Sequence, residues 1–196
     1  MQRRFAIILG GGRSVRMGRD KRGLVLDGRS LLARAVDACA ARELTVTVTP
    51  DLPEDVPAGR VACTLEDPPF GGPVAGIAAG LAALPPTLPG DEVLLLACDL
   101  PRVADIVAVL DAAPLASPAG APPADGVCLL DAEDYPQYLA ARYRRAALED
   151  RLRAVGDPRS QSVRRLMTGL ELRRVPAPAI TADVDTPDDA AAAGLR

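Results

Sequence analysis

Two short apolar runs, Phe5–Leu9 (FAIIL) and Glu92–Ala97 (EVLLLA), stop abruptly, one at Gly10-Gly11-Gly12 and the other at Cys98-Asp99. A strand that is apolar residue after residue is buried on both faces, which requires helices above and below its sheet. The rest of the chain agrees. Ser30 is placed to cap a helix running to about Ala41, with Leu31, Leu32, Ala35, Val36 and Cys39 on one face. Thr45–Thr49 is a β-branched strand stopped by Pro50, and Val61–Thr64 is a weaker strand. Gly72-Pro73 opens a helix to about Ala83, and another spans about Val103 to Asp111. Gly126–Leu130 and Gln137–Arg142 read as a hairpin, followed by a helix over about Arg144–Val155. A helix capped by Ser160 or Ser162 presents Val163, Leu166 and Met167, then come a strand at Leu170–Val175 and a last helix at Pro187–Leu195. Strands alternating with helices predict an α/β layered sheet with right-handed crossovers. In such sheets ligands bind beyond the C-terminal strand ends.

The length of 196 residues suits one domain, expected over residues 1–196. A formal net charge of −3 and 3% aromatic content argue against a nucleic-acid surface. No apolar run approaches the roughly 18 residues of a membrane span, and Phe5–Leu9 is too short for a signal peptide, so a cytoplasmic protein is expected. Cys39, Cys63, Cys98 and Cys128 have no metal-knuckle or redox-pair spacing and are expected to be buried free thiols. Histidine is absent, which removes histidine bases and histidine-ligated zinc. Of 23 basic residues, Lys21 is the only lysine, which marks either a site that wants a compact ammonium where a planar guanidinium will not serve or a chance survivor among arginines.

Four segments carry candidate chemistry. Leu9–Lys21 (LGGGRSVRMGRDK) sets Gly10, Gly11 and Gly12 among Arg13, Arg16, Arg19 and Lys21. Glycines let backbone N–H groups approach phosphate oxygens, and the cations suit a triphosphate. A Walker A loop is excluded because GK[ST] does not follow, and a GxGxxG pattern fails at Val15. A tight surface turn with solvated arginines is the alternative. Glu66–Gly76 (EDPPFGGPVAG) offers donors at a helix start near Gly72 and Pro73, and Asp67 as an acceptor for a base or ribose; an ordinary capped-helix loop is its alternative. Asp99, just past the most apolar strand, is either a helix cap or a hard metal ligand. Asp183 and Asp185 in DVDTP cap the last helix, bind a metal, or do both.

In this order and spacing the segments resemble the MobA-like nucleotidyltransferases of molybdenum cofactor maturation. The family opening LAGGxSxRMGxDK appears as LGGGRSVRMGRDK, with Gly10 in place of alanine. GPLAG appears as Gly72–Gly76, the metal motif as Cys98-Asp99-Leu100-Pro101, and the ending DIDTPED as DVDTPDD. PQYLAARYR at Pro136–Arg144 and GDPRSQSVRRL at Gly156–Leu166 also resemble family segments; the latter resembles the family's cofactor-facing region, where Arg159, Arg164 and Arg165 either bind the acceptor's phosphate or form a solvated helix face, and Tyr138 stands where proline is usual.

The resemblance implies a three-layer αβα sandwich, a mainly parallel Rossmann-like nucleotidyltransferase fold. It implies transfer of GMP from GTP to the phosphate of molybdopterin, with release of pyrophosphate. The implied nucleotide contacts are Leu9, Gly10, Gly11, Gly12, Arg16, Lys21, Asp67, Gly72, Pro73 and Asp99. Arg16, Lys21 and Asp99 would be catalytic, and Asp99 with Asp185 would hold Mg²⁺. Cofactor-carrying proteins or molybdoenzymes are candidate partners. The rival readings are a CTP-dependent enzyme acting on the same cofactor and a non-catalytic nucleotide-binding paralogue. The CTP-dependent type tends to carry alanine at the Gly11 position and to lack GPxAG.

Overall fold

The computed structural model describes residues 2–10, 24–57, 59–115, 123–182 and 194. Its centre is a seven-stranded sheet: β1 (Arg4–Leu9), β4 (Leu44–Val48), β5 (Ala62–Thr64), β6 (Glu92–Ala97), β7 (Gly126–Leu130), β8 (Pro136–Arg144) and β9 (Leu172–Pro176). The spatial order is β5-β4-β1-β6-β8-β7-β9. Every adjacent pair is parallel except the two that involve β8, which runs against both β6 and β7. β8, the second strand of the expected hairpin, is therefore the one antiparallel strand of the sheet, and it lengthens to Arg144 because Arg144 pairs with Glu92 of β6.

The helices α1 (Leu31–Ala38) and α3 (Val103–Ala112) lie on one face, and α2 (Pro73–Ala82), α4 (Arg145–Val155) and α5 (Val163–Met167) on the other. β1 shows why its run is apolar throughout. Ala6 and Ile8 enter one core with Leu32, Ile106 and Leu110; Phe5, Ile7 and Leu9 enter the other with Val74, Ile77 and Leu148. A strand side chain alternates faces, so two covered faces need apolar residues at every position. The architecture is a three-layer αβα sandwich.

Local signals act as chemistry requires. Ser30 caps α1, its hydroxyl accepting from the N–H of Ala33 at 3.1 Å. Pro73 occupies the first turn of α2, and Ser162, rather than Ser160, caps α5 through the N–H of Arg165 at 3.2 Å. α1 ends at Ala38 instead of near Ala41. The N–H of Glu43 already bonds to Arg4 O at 2.9 Å, so the chain must leave the helix early enough to enter the sheet. Gly169, at φ 91°, turns the chain so that β9 begins at Leu172, opposite Gly126. A ribbon absent from the expectations, β2 (Val25–Leu26) and β3 (Arg29–Ser30), closes through Asp27 and Gly28, both at positive φ. An Asp-Gly pair between short strands is the ordinary sequence sign of such a turn. Buried thiols are found at Cys39, Cys98 and Cys128, but Cys63 is exposed, because β5 is an edge strand. Burial pushes the Cys39 thiol up to about 12 and that of Cys128 to about 11, so neither ionises near neutral pH.

The N-terminal edge of the sheet carries a buried charge network. Arg3 donates to Asp91 through Nε at 3.0 Å and Nη2 at 2.5 Å, and Leu88 N–H reaches the same carboxylate at 2.9 Å. Arg142 pairs with Glu92 at 2.6 Å, and Arg145 bonds Glu149 at 2.8 Å. The Arg3 and Arg145 guanidinium groups flank the Phe5 ring, 5.2 and 5.5 Å from its centroid.

Candidate nucleotide site

The parallel strands β5, β4, β1 and β6 all end at the edge opposite that network. Backbone bonds continue past the strand ends and tie the loops together. Gly10 N–H bonds Val48 O at 3.0 Å, Cys98 N–H bonds Leu9 O at 3.1 Å, and Thr49 N–H bonds Thr64 O at 2.9 Å. Leu9 is buried, and Gly10, buried beside it, directs the chain out of the sheet between β4 and β6. Gly11, Gly12, Arg16 and Lys21, which carry most of the phosphate expectation, lie outside the described residues.

The segment 65–72 leaves β5 at the same edge. Asp67 is exposed there, and Phe70 N–H bonds Glu66 Oε1 at 3.1 Å. Gly72 precedes α2 at φ 92°, a left-handed conformation that a side chain would strain, with Pro73 next. α2 then lies low over β1. A Cβ on Gly76 would sit 3.4 Å from Leu9 Cδ2 and 3.5 Å from Val48 Cγ1, and one on Gly80 only 2.6 Å from Ile7 Cγ2. Glycines four residues apart thus bring the start of this helix down to the end of β1. Helix starts expose unpaired N–H groups and a partial positive charge, an environment suited to anions.

Asp99 follows β6 and is partly exposed, two residues past the strand. The N-cap position of α3 belongs to Arg102, three residues further on, so Asp99 does not occupy it. Among the described residues no three metal-binding side chains cluster. Arg102 donates to Ala179 O at 3.2 Å and pairs with Asp105 at 2.8 Å. That bond draws the chain leaving β9 beside the Asp99 loop, just ahead of DVDTP; Asp183 and Asp185 themselves lie outside the described residues. One Asp carboxylate suits Mg²⁺, which takes few protein oxygens and keeps waters and phosphate oxygens for the rest.

The structure thus sets Gly10, Asp67, Gly72, Pro73 and Asp99 along one edge. It does not make them one compact cluster. β5 and β6 stand three strand positions apart, about 14 Å at ordinary strand spacing. One set of contacts had no sequence sign: the turn between α4 and α5 rests on the 65–72 segment, with Arg159 Nη1 on Pro68 O at 2.6 Å and Ser160 N–H on Gly71 O at 2.7 Å. No spacing rule connects residues about ninety positions apart.

Comparison with known proteins agrees with this layout. The family model of the MobA-like NTP transferase domain matches residues 6–175. A molybdenum cofactor guanylyltransferase from Syntrophotalea carbinolica is 34% identical over 156 residues, 76% of this chain and 68% of that protein. A probable molybdenum cofactor guanylyltransferase from Synechococcus elongatus is 40% identical over 104 residues, 50% of this chain. The match spans only about half the length of that relative, 52%. The crystal structure of molybdopterin-guanine dinucleotide biosynthesis protein A from Archaeoglobus fulgidus superposes with a TM-score of 0.65 at 21% identity, covering 96% of both chains. A likeness at that identity speaks for the fold. With loops after three parallel strands gathered at one edge and a family match over most of its length, the chain belongs to the MobA-like NTP transferase family.

Proposed function

We propose that this protein transfers GMP from GTP to the phosphate of molybdopterin or molybdenum cofactor, forming the guanine dinucleotide cofactor and pyrophosphate, with its 196 residues working as one nucleotidyltransferase domain. The observation that carries this is the shared sheet edge. Three motif segments far apart in sequence, at Gly10, 66–73 and Asp99, leave strands there, and relatives of this chain carry guanylyltransferase names.

The chemistry fits the composition. The acceptor is a phosphate whose second pKa is near 6, so it is already ionised at neutral pH and needs no histidine base. The requirement is alignment and neutralisation of the charge that develops as the bond between the α-phosphorus and the bridging oxygen breaks. Gly11 and Gly12 would offer backbone N–H groups to the triphosphate, while Gly10, whose own N–H is held by Val48 O, lets the phosphates approach the chain closely. Lys21 and Arg16 supply charge to its oxygens. Asp67, with the start of α2 at Gly72 and Pro73, receives the nucleoside. Asp99, with Asp185, would hold Mg²⁺, which when bound shields the phosphates and stabilises the leaving pyrophosphate. Glycine at position 11 and the GPVAG segment favour guanine over cytosine.

The test supplies each of the four triphosphates with Mg²⁺ and molybdenum cofactor and identifies the dinucleotide by mass. GTP is expected to give product. A cytosine dinucleotide instead would reverse the nucleotide assignment, and no product with any triphosphate would reverse the transferase reading.

A further inference from the structure

The turn Gly156–Ser162 is built with local precision. Gly156, at φ 76°, ends α4; Asp157 Oδ1 accepts from Arg159 N–H at 3.0 Å; Ser160 adopts φ 57°; and Ser162 caps α5. Left-handed φ is uncommon for serine and carries strain. Here it accompanies the bond from Ser160 N–H to Gly71 O at 2.7 Å. One residue earlier, Arg159 Nη1 holds Pro68 O at 2.6 Å. The receiving side is shaped to match. A Cβ on Gly71 would stand 3.1 Å from Arg159 Nη1 and 2.7 Å from Ala75 Cβ, so only glycine admits the guanidinium at this distance without displacement. The held loop itself includes a residue in an uncommon conformation, Phe70 at φ 65°, which is exposed.

We propose that Arg159 and Ser160 form a clasp that sets the position of the 66–72 loop, and that Arg159 is thereby a positioning residue for the nucleotide. This rests on the reading of that loop as the nucleoside side of the site. Arg159 lies in the segment otherwise assigned by resemblance to the acceptor, yet its bond runs to the nucleotide loop. Binding of the triphosphate therefore depends on a turn that belongs to the acceptor side. Opening the clasp frees Gly71 and Gly72, and with them the start of α2, so ordering that loop is charged against nucleotide binding.

The test uses the full-length protein, Arg159→Ala, Arg159→Lys, and Arg153→Ala as a surface control on α4. Two quantities are measured: the Kd for GTP with Mg²⁺ by calorimetry, and hydrogen exchange of backbone amides in residues 66–72. Arg159→Ala is expected to raise the Kd about three- to tenfold, the range one hydrogen bond supplies. It is also expected to quicken exchange in 66–72 alone. Arg159→Lys should recover part of both, since an ammonium can donate one bond to Pro68 O; Arg153→Ala should match the parent. An Arg159→Ala protein that binds GTP as tightly as the parent overturns the proposal, whether or not exchange changes. A parent that binds no triphosphate overturns the nucleotide reading itself, and the coupling falls with it.

Discussion

At the scale of single residues, the two groups expected to matter most for turnover make little demand on the fold. Lys21 is the only lysine of the chain, and a point charge on phosphate oxygens counts for more in the transition state than in folding. Lys21→Ala is expected to lower guanylyl transfer at least about 10²-fold, of order 3 kcal/mol, with an unmoved melting temperature. Loss of folding, or full activity, would remove it from the site. Asp99 is discriminated by a milder change. Asparagine keeps the size and hydrogen-bonding capacity of aspartate and caps a helix as well. If Asp99 serves a metal, Asp99→Asn should abolish activity and leave weak GTP binding through the glycine loop. Since asparagine keeps the size and hydrogen-bonding capacity of that side chain, little loss of stability is expected. An active Asp99→Asn enzyme with ordinary Mg²⁺ dependence would rule out metal binding there.

Among the elements, α2 decides the shape of the site, through its glycines more than its apolar side chains. Alanine has about 1 kcal/mol better helix propensity than glycine. At Gly76 a methyl would meet only ordinary contacts of 3.4 and 3.5 Å. At Gly80 it would press into Ile7, with approaches of 2.6, 3.1 and 3.2 Å. The two substitutions should therefore part. Gly76→Ala is expected to be neutral or slightly stabilising, whereas Gly80→Ala should cost about 1–3 kcal/mol by overpacking and lift α2 from β1. Urea unfolding of both variants measures this, and equal midpoints would mean that the helix does not sit as low as described. Gly80→Ala should also weaken GTP binding, although residue 80 is two turns from the helix start.

For the whole molecule, the sheet carries the candidate site at one edge and a charge network at the other. At the N-terminal edge, the hydrogen bonds from Arg3 hold the Asp91 carboxyl below its ordinary range, against the opposing effect of burial. Asp55, near the start of α1, is also lowered: burial pushes it up, but hydrogen bonds from Ser30 and the charge of Arg29 outweigh this. A carboxylate with a depressed folded pKa contributes stability fully above its unfolded value, near 3.9. That contribution is lost as pH falls through the lower folded value. Stability should thus be level from neutral pH to about 5 and fall below about 4. Asp91→Asn should be less stable at pH 7 and show a shallower acid limb, read from urea midpoints at stepped pH. An unchanged limb would show that Asp91 does not carry the acid sensitivity. Removing one partner of a buried pair costs roughly 3–5 kcal/mol, and with Arg145 Nη1 also 3.9 Å from Asp91 this variant sits at the severe end.

The sequence by itself determined most of the described elements and which loops leave the sheet, the β2–β3 ribbon aside; the helix expected at Pro187–Leu195 lies outside the described residues. Phe5–Leu9 and Val93–Ala97 are apolar at every position because both faces are covered, and Ser30, Pro73 and Ser162 mark helix starts by their own backbone chemistry. These are local signals, and they survive without neighbours. The family motifs added an order of loops, which a parallel sheet converts into a common edge because its strands end together. Tertiary structure alone decided the rest. The order β5-β4-β1-β6 put Asp67 and Asp99 three strands apart. Pairing in the sheet shortened α1, and the edge position of β5 left Cys63 exposed. The clasp of Arg159 on Pro68 and the pairing of Arg3 with Asp91 join residues 91 and 88 positions apart. Such contacts depend on where two packed elements bring their ends, and neither end carries a mark of its partner in its own composition.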